Sequence, residues 1–107
     1  MNIAVDKKTR GLLRQALAEA IGGFAARRFP ASEKPEAEAL WRRVENEETM
    51  VLTDEDLRFV LKVLEFALKE LGPEEFHTIT GYGFDFGVAT AESFQTEIAS
   101  ANYKSEN

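Results

Sequence analysis

The sequence predicts an all-α fold, a small bundle of about four helices around a central buried one. Three observations predict it. Apolar residues recur at helical spacing along several segments, and turn chemistry separates those segments. The most apolar segment, residues 53–72, keeps so narrow a polar strip that other elements must surround it. With 107 residues and no cysteine, a single domain spanning 1–107 can bury a core without disulfide or zinc-thiolate support.

Between Thr9 and Phe24, the residues Leu12, Leu13, Ala16, Leu17, Ala20, Ile21 and Phe24 fall on one helical face. The Gly22-Gly23 pair predicts an end or kink, because each glycine costs about 1 kcal/mol relative to alanine inside a helix. The run FPASEKP then turns the chain, and Pro35 suits the first turn of a second helix reaching Asn46. Its inward face is Ala37, Leu40, Trp41 and Val44, with the lone tryptophan expected to anchor the core.

Thr53 with Asp56 three residues on resembles a capping box, although Asp is shorter than the usual Glu or Gln, and Gly72-Pro73 marks a stop. Between them, Leu57, Val60, Leu61, Leu64, Ala67, Leu68 and Leu71 form one stripe, and Phe59, Val63 and Phe66 form another. Either both stripes are covered within the chain, or Phe59, Val63 and Phe66 offer a face to a second copy and make a homodimer.

The stretch FHTITGYGFDFGVAT supports two patterns. Pro73 can begin a short helix in which Phe76 and Ile79 point inward, Gly81 takes the left-handed terminating position and Tyr82 packs back. Phe76, Thr78, Thr80, Tyr82, Phe84, Phe86 and Val88 also alternate, which gives the alternative of an α+β fold with a short hairpin near 76–88. The helical start is preferred, because a lone hairpin needs a partner that no other segment offers. Thr90 or Asp85 would cap a last helix with Ala91, Phe94, Ile98 and Ala101 inward.

The N-terminal MNIAVDKKTRG has no continuous apolar run after its charges, so no signal peptide is expected and the chain reads as cytoplasmic, with no membrane partner. The net charge is −6, unevenly placed. Residues 1–30 hold six Lys/Arg against two carboxylates, and residues 31–107 hold seven against seventeen. If the fold keeps these halves apart the molecule is electrically two-ended. The negative total disfavours nucleic acid as a partner, except through the basic end of the first helix.

No catalytic set can be assembled from the residue types present. His77 lacks a nucleophile and a second base at suggestive spacing, and the glycines of GYGFDFG match no phosphate-binding pattern. Glu74 and His77 fit an i, i+3 metal-ligand pair, but a di-iron bundle needs a second such pair and two further glutamates. No cofactor is expected. The segment ENEETMVLTDED, residues 45–56, carries six carboxylates and no basic residue. Asp54, Glu55 and Asp56 suit a helix N-terminus, whereas Glu45, Glu47 and Glu48 follow a helix end that favours cations. Carboxylates interrupted by Met50, Val51 and Leu52 have the composition of a surface that meets a basic protein, with charge steering the approach and apolar groups making contact.

These readings converge on a non-catalytic, acidic protein-binding module that inhibits a basic, nucleic-acid-acting protein, of immunity, antitoxin or phage-inhibitor type. The expected partner-binding residues are Glu45, Glu47, Glu48, Met50, Asp54, Glu55 and Asp56. A small enzyme or metal-binding protein using Glu74 and His77 is the alternative, and a DNA-binding or regulatory module using the basic end of the first helix is the third.

Overall fold

A computed structural model describes residues 2–47 and 49–105, and the side chains of 102–105 lie outside that description. The element order is β1 (Asn2–Val5), α1 (Lys7–Gly22), α2 (Lys34–Asn46), β2 (Met50–Thr53), α3 (Asp54–Thr80) and α4 (Phe84–Ser105). The fold is a helical bundle with a minor two-stranded ladder. Two 3-10 turns, Ala26–Arg28 and Ala31–Glu33, carry the chain from α1 to α2. In packing order the helices run α2, α1, α3, α4, so α3 is flanked by α1 on one side and α4 on the other.

Local chemistry explains the boundaries. The Asp6 carboxylate accepts from the Thr9 amide at 2.7 Å and starts α1. Its hydrogen bond from that amide holds the Asp6 carboxyl below its ordinary pKa. Thr53 and Asp56 form the expected capping box, with reciprocal bonds of 3.2 Å. Gly72 adopts φ 72°, which breaks α3 just before Pro73, so the predicted stop and restart appear as a kink in one long element. Gly81 at φ 80° then ends α3 in the left-handed conformation.

The core is one cluster in which Leu12, Leu13, Leu17, Met50, Leu52, Leu57, Leu64 and Phe76 lose essentially all contact with solvent. Each such side chain contributes roughly 1.5–3 kcal/mol. Gly87 is buried where α4 crosses α3, and a β-carbon there would stand 2.8 Å from the Phe76 ring and 2.9 Å from Leu68. That glycine serves close helix approach, because its φ is not positive.

Several expectations are corrected. The hairpin alternative near 76–88 is not realised: that region is the end of α3, a turn and the start of α4, and the ladder joins β1 to β2 instead. Asp85 and Thr90 do not cap α4. Asp85 lies in its first turn, the Gly87 amide bonds the Gly83 carbonyl at 3.1 Å, and the Thr90 hydroxyl donates to the Phe86 carbonyl at 2.8 Å. Trp41 is half-buried beside the core rather than within it. Phe24 leaves the inward face altogether, since α1 ends at Gly22 and the ring is 81% exposed.

The second stripe of α3 is turned mostly into the chain. Phe59 and Val63 are buried within the chain, and the half-buried Phe66 ring takes the edge of Phe29 at 5.1 Å. Phe29, from the connection between α1 and α2, thus covers the Phe66 end of the stripe. The halves of the charge distribution are also mixed. Arg14 pairs with Glu45, and Arg28 pairs with Glu70 at 2.9 Å. The Arg10 guanidinium donates to the Glu47 carbonyl.

Candidate interaction surfaces

Segment 45–56 closes the end of α2, forms β2 and opens α3. In β2 the side chains alternate: Met50 and Leu52 face the core, while Val51 and Thr53 face out. The ladder is antiparallel, pairing Asn2 with Thr53, Ile3 with Leu52, Ala4 with Val51 and Val5 with Met50. A four-residue alternation therefore buries Met50 completely and removes it from the expected partner surface. Val51 remains 40% exposed.

Glu45, Glu47 and Asp56 are engaged by arginines of the same chain. Glu45 pairs with Arg14. Asp56 accepts from Arg43 at 2.9 Å, and Glu47 lies 3.5 Å from the same guanidinium. Arg43 also donates to the Val51 carbonyl at 3.0 Å, so one side chain ties the last turn of α2 to β2 and to the first turn of α3. Burial alone would push the Asp56 carboxyl up, but hydrogen bonds from Arg43 and the Thr53 amide, with the arginine charge, hold it below its ordinary pKa. The Asp56 hydrogen bond likewise raises Arg43 above its usual value. Asp54 and Glu55 stay exposed at the start of α3, where the helix dipole favours them. Glu48 lies outside the described residues.

Glu74 and His77 share the short helical stretch after Gly72, and both are exposed. Among the described residues no three His, Asp or Glu side chains converge to hold a metal ion. Along the first turns of α1, Lys7, Lys8, Arg10 and Arg14 flank an open groove with Tyr82. Most of that charge is used internally: Arg14 meets Glu45, Arg10 meets the Glu47 carbonyl, and the Lys8 ammonium sits 4.2 Å from the centre of the Phe86 ring.

A further surface was not legible in the sequence. The turn after α1 is pinned by the buried Glu19 side chain, which accepts from the Ala25 amide at 2.8 Å, and by the Gly23 amide bonding the Glu19 carbonyl at 3.0 Å. Phe24 projects from this turn. Beside it, Ala18, Ile21 and Gly22 of α1 face Glu38, Trp41 and Arg42 of α2 across a groove of about 300 Å³. Helical periodicity placed Phe24 inward, because the signal that turns it out is a side-chain cap formed after the last helical residue.

No helix among the described residues is long and apolar enough to cross a membrane. No protein-family model matches the chain, and neither a curated protein nor a solved structure matches it as a relative would.

Proposed function

We propose that the protein is a non-catalytic binding module that docks a basic, nucleic-acid-acting protein and inhibits it, as an immunity protein, antitoxin or phage inhibitor does. The observation that carries this reading is Val51, exposed on the outer face of β2 within a short stretch that also presents Glu47, Asp54 and Glu55 to solvent. Arg43 locks the backbone beneath that face through the Val51 carbonyl and Asp56. An apolar contact ringed by carboxylates on a fixed backbone suits a basic surface, because charge steers encounter and little ordering entropy is lost on docking.

The contact set becomes Val51, Asp54 and Glu55, with Glu47 at the rim: burial removes Met50 from the expected residues, and Val51 is added to them. Glu45 and Asp56 act through the fold. Affinity capture from the native cell tests this with three baits: the wild-type chain, Val51→Ser/Asp54→Asn/Glu55→Gln, and Glu74→Ala/His77→Ala. The expected result is a basic protein retained by the first and third baits and lost from the second. Retention of the same protein by the second bait, or its loss from the third alone, would reject the reading.

A further inference from the structure

We propose that the protein forms a two-fold dimer through α2 and the turn after α1, with Phe24 of each copy seated in the other copy's Ile21–Trp41 groove. An aromatic ring 81% exposed is costly when it has no cover, and here it is held rather than loose. The turn that carries it is fixed by Glu19 bonding the Ala25 amide and by Arg28 bonding Glu70. Phe29 is meanwhile anchored on Phe66. A rigid aromatic knob loses little entropy on docking, which is the condition under which such a residue dominates an interface. The groove of about 300 Å³ beside the knob has apolar walls, Ala18, Ile21 and Trp41, and is large enough to admit a phenyl ring.

The occupant is identified by the charges at the rim. Glu38 and Arg42 border the groove one helical turn apart on α2, both exposed, and neither has an ion-pair partner among the described residues. Two α2 helices packed antiparallel, with the two-fold axis midway between Glu38 and Arg42 on their outer faces, bring Glu38 of each copy opposite Arg42 of the other. The face is thus self-complementary in charge as well as in shape, which is what a two-fold contact requires. It uses none of the residues of the ladder face, so it stands independently of the function proposed above. The area available is small for an obligate dimer and fits a reversible one.

Sedimentation equilibrium of the full chain from about 10 μM to about 1 mM tests the proposal across the affinity range of small interfaces. The wild type is expected to move from monomer to dimer within that range. Phe24→Ser should weaken the dimer at least about tenfold, as loss of a central aromatic anchor does. Glu38→Arg alone and Arg42→Glu alone should each weaken it by placing like charges together, and the combined exchange should restore it. Circular dichroism melting of the same variants confirms folding, since all three positions are exposed. A wild type that stays monomeric throughout, a dimer indifferent to Phe24→Ser, or a double exchange that fails to restore association would each overturn the proposal.

Discussion

Segment 45–56 and the turn at 22–29 make an instructive pair. The first is the most conspicuous stretch of the sequence, with six carboxylates in twelve residues, yet much of its charge is absorbed by Arg14 and Arg43, and its two largest apolar side chains are buried. The second reads as a helix end followed by filler, yet it holds the most exposed aromatic side chain described. The difference teaches that composition reports which groups are present, whereas pairing and direction decide which of them face a partner. A carboxylate is turned inward in function by one arginine reaching across the fold. A phenylalanine is turned outward by one cap.

The largest test of this contrast lies inside the acidic segment. Met50→Ala should destabilise the fold by about 2–5 kcal/mol, the range for emptying a fully buried large side chain, when measured by chemical denaturation. A loss under about 1 kcal/mol would mean that β2 is not seated on the core and that the segment is a solvated loop after all.

Next in size is Glu19→Ala. It strands the buried Ala25 amide, and an unsatisfied buried donor costs about 1–3 kcal/mol. Its effect should be local, loosening the turn that presents Phe24, so amide exchange at residues 23–26 should accelerate more than exchange in α3. Uniform acceleration would show that the turn is not separately pinned.

Thr53→Ala should cost about 1 kcal/mol through loss of the capping box. The neighbouring Asp56 adds a pH dependence. Its carboxyl titrates below the ordinary value in the folded chain, so its stabilisation is fully present above the unfolded pKa near 4 and is lost as pH falls through the lower folded value. Asp56→Asn should therefore flatten the acid limb of the stability curve below about pH 4 and leave its shape near neutrality unchanged. An unaltered acid limb would remove Asp56 from the structural set.

The smallest effect is expected at the most exposed position. Phe24→Ser should change the stability of the monomer by no more than about 0.5 kcal/mol, because it removes no packing within the chain.

Legibility in the sequence follows the same physical line. Helix existence and order were readable because many residues vote for each face: Leu12, Leu13, Ala16 and Leu17 all point inward, as do Leu57, Val60 and Leu64. Signals carried by one residue pair with a local mechanism also held, as with Thr53 and Asp56 or the left-handed Gly81. What failed depended on a few residues or on distant ones. The strands Asn2–Val5 and Met50–Thr53 alternate over only four residues each, too briefly to be read, whereas the longer alternation at 76–88 rightly ranks below the helix start at Pro73 and the stop at Gly81. Phe59 and Val63 could be assigned to the interior only with knowledge that Phe29 returns onto Phe66. At the candidate surface, Asp54 and Glu55 were correctly placed at a helix start. The division of the remaining carboxylates was invisible, because Arg14 and Glu45 are thirty-one positions apart in the chain.

The central proposal is that Asp54 and Glu55, exposed at the start of α3, meet a partner, while Glu45 and Asp56 hold the fold. Its most direct measurement is the association rate of the captured basic protein with Asp54→Asn/Glu55→Gln, followed across ionic strength beside the wild type. The account predicts association several-fold slower at low salt, a shallower salt dependence, and stability reduced by no more than about 1 kcal/mol per charge removed from the helix start. An unchanged rate and salt slope would contradict it, and would return Asp54 and Glu55 to the role of simple helix-start residues.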